Sequence, residues 1–412
     1  MRQRSWFVAW IVTSGCVTAS TASPSDAGFV DAPAPDVAAA VVDRPLPADV
    51  ALDVVDVPLD IVAPPRTVLR VHYPAHGHAL AVRGAAASQG LDWNHGVALR
   101  DVGGDTWEWS SATVAEAFEW KPLLDDAQWS IGPNYRVAPG TVAEVAPRFV
   151  THRGTWSRAI PSFTSTLLGN ARGVWIYLPP TYAENPWPTF PVVWMHDGQN
   201  LFDPAASFGG VAWNVQDAMD AGAEDGSIRE AVVVGVENTA SRIDEYTATR
   251  DATEMAGGRA DLYVRMLVEE LAPVIARSYR VRNGPAETAV LGSSLGGLVS
   301  LHAGITHPAV FGAVGAMSPS TWWDDLAVLR EVGGIPSAPT RPLRFYVDSG
   351  DTGPSNDDVT ETAMLAAALR TAGYADGSTL RYVVAHGASH SETWWAQRLP
   401  GALAFLLGPR DP

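Results

Sequence analysis

The chain has 412 residues, of which 47% are hydrophobic, enough for a large buried core and for more than one domain. Its formal net charge of −17 argues against nucleic acid and anionic membrane surfaces as partners, since both attract basic proteins. The single cysteine, Cys16, excludes an intrachain disulfide.

In chain order, the first segment reads as an export leader. Arg2 and Arg4 precede an apolar stretch over 6–12, and Thr13-Ser14-Gly15-Cys16 follows. This pattern resembles a bacterial lipoprotein export signal, which implies that Cys16 is the lipidated N-terminus, with ordinary secretion as the alternative, and that a lipid anchor there is the chain's one route to a membrane. The apolar stretch is too short for a membrane span. Residues 17–65 are rich in Ala, Val, Pro and Asp, with eight prolines and with Asp26, Asp31 and Asp36 at five-residue intervals. Proline blocks regular pairing and like charges extend a chain, so this stretch reads as a disordered tether.

Residues 66–150 carry short β-like runs separated by Gly, Pro, Asn and Asp, the spacing of a small all-β sandwich. Five tryptophans fall here: Trp93, Trp107, Trp109, Trp120 and Trp129. Alternation in Trp107-Glu108-Trp109 puts both rings on one face, either both in the core or both outside. Trp93 and Trp129 sit beside turn residues and are the expected exposed pair, suited to stacking on sugar rings. Arg83-Gly84, Leu91-Asp92-Trp93-Asn94, Trp107-Glu108-Trp109 and Phe118-Glu119-Trp120-Lys121 resemble starch-binding-type modules found ahead of hydrolases. The resemblance implies a glycan-binding module, and the same domain is placed to wall one side of a catalytic cleft. His72, His76 and His78 have loose metal-like spacing without an acidic or cysteine partner near in sequence, and read as surface residues.

From about residue 151 to the C-terminus, strands and helices alternate. Strands fit 162–168, 173–178, 191–196, 231–236, 288–291, 312–317, 343–347 and 380–385. Helices fit 211–219, 259–279, 297–305, 326–331, 360–371 and 392–406. The alternation predicts an α/β domain with a doubly wound, mostly parallel sheet and antiparallel pairing at its N-terminal edge. A ligand then binds at the carboxyl ends of the strands.

The most specific motif is Gly292-Ser293-Ser294-Leu295-Gly296, lying between a strand and a helix. Glycines two residues either side of Ser294 allow a turn sharp enough to expose its hydroxyl above the sheet. A serine becomes nucleophilic when a base takes its proton, and on this turn the order is Ser, acid, His. The base is read as His390 in the last strand–helix loop, with His386 as rival. The acid is read as Asp351, just past the strand at 343–347, with Asp357, Asp358 and Asp348 as alternatives. The oxyanion hole needs the amide of Leu295 and a second amide from the turn after His196. Gln199 is the candidate, with Gly198 next. His196 itself reads as structural. Trp322 and Trp323, with Trp394 and Trp395, are placed to wall the cleft, one of each pair being available to the core. Arg242 suits an acidic substrate or an ion pair with Glu245.

These pieces, in order, resemble the putative esterase family of α/β-hydrolases, which holds esterase D-like, feruloyl esterase-like and enterochelin esterase-like members. The matching segments run from Arg172-Gly173-Val174-Trp175 and the stretch 195–202, through Gly235-Val236-Glu237-Asn238 and Gly292 to Gly297, to Met317-Ser318-Pro319-Ser320 and His390 with Trp394. The resemblance covers about residues 160–408. It implies hydrolysis of carboxylic esters, carbohydrate-linked, aromatic or siderophore-type, without metal or cofactor. Related members transfer acyl groups to an alcohol instead, and the non-enzymatic alternative is a surface glycan-binding lipoprotein.

Overall fold

The computed structural model describes residues 65–335 and 343–409, so Cys16 and the tether over 17–64 lie outside the described residues. The second half of the chain is built on an eight-stranded sheet. Its strands are β1 (Thr155–Thr164), β2 (Ala171–Leu178), β3 (Val192–His196), β4 (Val232–Val236), β5 (Thr288–Ser293), β6 (Ala313–Met317), β7 (Arg344–Gly350) and β8 (Leu380–Ala385). They lie in the order β1-β2-β4-β3-β5-β6-β7-β8. The β1–β2 and β2–β4 pairs are antiparallel, and every later pair is parallel.

The inner strands are apolar runs because both faces are covered. In β3 every residue is buried. Val192 and Trp194 enter one core cluster while Val193 and Met195 enter the other, as the two-residue period of a strand requires. The first cluster is closed by the helix that runs through Ala260–Arg265, Met266–Leu271 and Ala272–Ser278, whose middle segment is wound as a π-helix, and by the helices Leu295–Thr306 and Val359–Thr371. The second is closed by Val215–Asp225 and Glu392–Leu407.

The expected strand over 162–168 is displaced. β1 ends at Thr164, because the Glu270 carboxylate ties Ser165 Oγ and the amides of Thr166 and Leu167 into a turn.

Ahead of this sheet lies a β-sandwich. One sheet holds Arg100–Gly103, Thr106–Ser111, Thr67–His72 and Val142–Val145. The other holds Val97–Ala98, Leu80–Gly84, Phe118–Leu124 and Gln128–Trp129, with Tyr135–Val137 paired to Phe118–Leu124. Leu69, Val71, Leu80, Val82 and Trp120 form its core, and Trp107 and Trp109 pack against it together.

The sandwich joins the α/β layers in one compact unit. The clasp is the short helix Pro180–Glu184 and its next residue. Glu184 accepts the Tyr73 hydroxyl (3.0 Å) and the amides of Phe149 (2.6 Å) and Val150. The buried Asn185 amide group donates to the carbonyls of His72 (2.9 Å) and Pro147 (3.0 Å). These contacts lie between the end of β2 and the start of β3, at the amino ends of the parallel strands. The expectation that the sandwich walls a cleft at their carboxyl ends is therefore corrected, because it is attached at the opposite pole. Asn185→Ala removes the side chain that donates to the His72 and Pro147 carbonyls. It should cost about 1–3 kcal/mol, read as a lowered midpoint in urea unfolding with sandwich and α/β layers melting in one transition.

Candidate active site

Ser294 sits between β5 and the helix Leu295–Thr306 with φ 57° and ψ −127°, a backbone conformation that a non-glycine residue holds only under constraint. The constraint is packing. A Cβ on Gly292 would lie 2.6 Å from the backbone of Gly296. The Ser294 amide donates to Met317 O (3.0 Å), and its carbonyl accepts the Ser320 amide (3.1 Å). Strand neighbours are buried while Ser294 stays partly exposed, with Oγ 3.3 Å from Ser320 Oγ.

His390 and Asp357 meet 2.6 Å apart, Nδ1 to Oδ1. Asp357 lies in the loop after β7, where Asn356, Asp357 and Asp358 all take positive φ near 51° and turn the chain back over the strand. Its carboxylate is fully buried. Burial alone would raise its pKa, but hydrogen bonds from His390, Ser318 Oγ (2.6 Å) and the Gly350 amide outweigh this and hold it below the usual carboxylate value. The acid expected from sequence, Asp351, is corrected. It lies at the rim beside His386 (2.7 Å), whose side chain is 85% exposed, and it accepts the Gly387 amide. Asp351 follows β7 directly, so its side chain reaches the neighbouring strand end and not the loop beyond it. The rival His386 is thereby paired with Asp351 and not with the buried Asp357. Asp358 precedes the helix Val359–Thr371. Asp348 is buried in a two-pronged pair with Arg398 (2.9 and 3.0 Å).

Sequence reasoning missed the bracket behind Asp357. Ser318, held at φ 40°, donates to Asp357 and accepts from Trp395 Nε1 (3.0 Å) and Arg398 Nη2 (2.8 Å). The Trp395 ring meets His390 edge-on at 4.9 Å. The only signal was Met317-Ser318-Pro319-Ser320, which carried family resemblance but no role.

On the other flank, Gln199 belongs to the tight turn Gly198–Asn200 after β3. A Cβ on Gly198 would lie 2.4 Å from the Gly235 backbone, so the turn is pressed against β4. A Cβ on Gly296 would lie 3.3 Å from Asp197 Oδ2, which brings this turn beside the first turn of the helix after Ser294. Leu295 is the first residue of that helix, where amides lack an intrahelical acceptor.

Asp197 has positive φ, and its carboxylate is gripped by Arg242 (2.7 Å to each oxygen) and Asn238 (2.6 Å). The expected Arg242–Glu245 pair is thus corrected: Glu245 is taken by Arg172 (2.9 Å), with both side chains buried. Since Asp197 engages its guanidinium, Arg242 braces the Gln199 turn. Trp323 and Trp395 are core residues, the former donating to Thr249 O (3.0 Å), so Trp323 is withdrawn from the cleft wall. Trp322 is 37% exposed and Trp394 half-buried.

An elbow serine and a buried acid–histidine pair, set at the carboxyl ends of a sheet in this order, define an α/β-hydrolase. The model of the family described as "Putative esterase" matches residues 165–406, and the chain belongs to that family as a carboxylic ester hydrolase. The chain is similar to the uncharacterized protein YbbA of Bacillus subtilis, 25% identical over 250 residues, 58% of this chain and 94% of that protein. The siderophore enterobactin esterase of Emericella nidulans is 37% identical over 76 residues, and the siderophore triacetylfusarinine C esterase of Aspergillus fumigatus 39% over 75. Each match covers 18% of this chain and 25% of the relative. Among solved structures, a ferulic acid esterase aligns with TM-score 0.49 and 20% identity, over 62% of this chain and 99% of that one. The enterobactin esterase of Shigella flexneri aligns with TM-score 0.48 and 18% identity, over 82% and 92%. Among the described residues no helix is long and apolar enough to cross a membrane.

His196 at the end of β3 is structural: it is buried, with Nδ1 2.9 Å from Tyr263 OH, and burial pushes its pKa down to about 3. The unfolded chain binds the proton at about 6.5, so this histidine's contribution to stability is complete above that value and is lost as pH falls toward 3. Heteronuclear NMR should find the imidazole neutral at about pH 5. The His196→Gln variant should show a smaller stability loss than the wild type between about pH 7 and 5.

Proposed function

We propose that the chain cleaves its esters through an acyl-enzyme, with Ser294 as nucleophile, His390 as general base and then acid, and Asp357 orienting the imidazole. The observation that carries this reading is the 2.6 Å pair of His390 with a fully buried Asp357, on the loops after β8 and β7 at the same carboxyl edge of the sheet as the elbow. Asp357 fixes the proton on Nδ1, which leaves Nε2 to accept the serine proton. Ser294 Oγ rests on Ser320 Oγ, so on this reading it must leave that contact to meet the imidazole when substrate binds. Catalytic hydrogen bonds commonly tighten only in the substrate complex. The amides of Leu295 and Gln199 then receive the oxyanion, and Trp322 borders the acyl or alcohol group. The names of the sequence relatives favour siderophore-type esters.

Hydrolysis of p-nitrophenyl acetate should fall about 10⁴-fold or more in Ser294→Ala. Asp357→Asn should lose roughly 10³- to 10⁴-fold in kcat, as expected when an imidazole loses its orienting acid. Asp351→Asn removes an exposed pair of little energetic weight and should keep kcat within about threefold. Equal losses in the two aspartate variants would overturn the assignment.

The sandwich adds a candidate glycan platform. Trp93 and Trp129 lie 6.1 Å apart, Trp129 is 38% exposed, and the Arg83 guanidinium sits 5.3 Å from its ring. Trp129→Ala should abolish co-sedimentation with an insoluble polysaccharide and leave p-nitrophenyl acetate hydrolysis unchanged. Export with lipid attachment at Cys16 completes the reading. Labelling with a fatty-acid analogue should be lost in Cys16→Ser.

A further inference from the structure

A cavity of about 570 Å³ opens between the sandwich and the amino ends of the parallel strands, within the size range of small-molecule sites. It is lined from the sandwich by His72, Glu144 and Arg148, and from the α/β side by Trp187, Phe190 and Glu230. None of these belongs to the catalytic constellation, which lies at the carboxyl ends of the same strands.

Its polar pole is unusual. The Arg148 side chain is only 6% exposed, yet its contacts are long: Nε is 3.9 Å from Glu230 Oε1, and Nη1 is 3.5 Å from Val150 O. Two other buried or half-buried guanidiniums of this chain, Arg398 and Arg242, each grip a carboxylate with two bonds of 2.7–3.0 Å. Glu230 turns its Oε1 to the Thr181 amide (3.1 Å) and stays 3.9 Å from the Arg148 guanidinium. A buried charge without a close counter-ion is costly, and the planar fork of arginine suits a carboxylate taken in two-pronged fashion.

The other pole is aromatic. Trp187, 45% exposed, lies over the His72 ring with centroids 4.6 Å apart and planes 31° from parallel. His72 is itself fixed by Glu144, Nε2 to Oε1 at 2.5 Å. Trp187 therefore offers a flat apolar face held from behind, while Glu144 and Glu230 offer acceptors for hydroxyl groups.

We propose that this cavity is a second, non-catalytic binding site for a hydroxylated ring-bearing carboxylate, with the carboxylate on Arg148 and the ring against Trp187. Two sources share that chemistry, a phenolic acid and a sugar acid. The site stands on its own geometry and does not depend on the acyl-enzyme reading.

The test is isothermal titration of the full-length protein after its active-site serine has been capped with a fluorophosphonate. The probes are 4-hydroxybenzoate, glucuronate, and the neutral counterparts 4-hydroxybenzyl alcohol and glucose. Saturable binding of one acid, with binding of its neutral counterpart at least about tenfold weaker, is expected. Which acid binds identifies the source. Trp187→Ala, at an exposed position, and Arg148→Lys, which keeps the charge but not the fork, should each weaken binding at least about tenfold with an unchanged unfolding midpoint. Arg148→Gln should abolish it. Absence of saturable binding by either acid up to about 10 mM overturns the proposal, because an affinity weaker than that corresponds to less than about 3 kcal/mol. Binding unchanged in both Trp187→Ala and Arg148→Lys overturns it as well. So does binding that is seen with the uncapped enzyme and lost on capping, which would place the acid at the catalytic serine.

Discussion

The arrangement depends on keeping one buried carboxylate ionised. Asp357 has no solvent contact through its side chain, and a carboxyl so placed is protonated unless donors surround it. Its donors come from three consecutive strands of the sheet: Ser318 after β6, the Gly350 amide at the end of β7, and His390 after β8. Sheet order thus converts directly into charge state. The glycine at the end of β7 is part of the device, since a Cβ there would lie 2.2 Å from Ala388 O and drive the two loops apart. Arg398 contributes at second hand: it neutralises Asp348, donates to Ser318, and stands 3.9 Å from Asp357 itself.

A parallel logic governs the other flank. The strained backbone at Ser294 represents roughly 1–3 kcal/mol that the surroundings must offset. They do so through the fully buried start of the following helix and the two backbone bonds to the loop after β6. The Gln199 turn is also held in a left-handed conformation, at Asp197, and its carboxylate is pinned by Arg242 and Asn238. Removing one partner of such a buried pair leaves the other charge stranded, which is the expensive outcome. The two flanks share the loop 317–320, which bonds to Ser294 on one side and to Asp357 on the other. A displacement of that loop would disturb nucleophile and acid together.

How far the site is legible in the chain follows from the range of each interaction. The elbow is legible because its signature is contiguous, a strand, two glycines around a serine, and a helix, although the bonds to Met317 and Ser320 that hold Ser294 come from farther along the chain. The eight-strand alternation is legible because buried strands are apolar runs with their own length and punctuation, and the boundary that moved furthest is that of β1, which runs over Thr155–Thr164 with Glu270 tying the residues that follow. The acid is not legible, since proximity to the strand end favours Asp351, whereas three successive left-handed residues return Asp357 over the sheet. Local sequence does not announce such a turn at Asn-Asp-Asp any more than at other polar loops. Ser318, Arg398 and the Asp197–Arg242 clamp are invisible for a further reason, which is that each acquires its role from a partner 30 to 80 residues away.

The attachment of the sandwich bears on what it can contribute. Its clasp, Glu184 and Asn185, sits on the connection between β2 and β3, so it is anchored to the interior of the α/β fold and not to a terminal linker. That connection leads straight into the strand whose far end carries the Gln199 turn. Yet the clasp and the turn are separated by the full length of a buried, fully paired strand, which transmits position but little motion. A ligand on the sandwich, or in the cavity beneath it, therefore has no steric route to the ester-cleaving pole. On the proposed reading, a polymeric glycan held by the sandwich would alter only where the enzyme resides. Retention near a polymeric or surface-bound substrate raises effective concentration without any new contact at the serine, and it leaves the loops at the carboxyl ends free to set ester specificity.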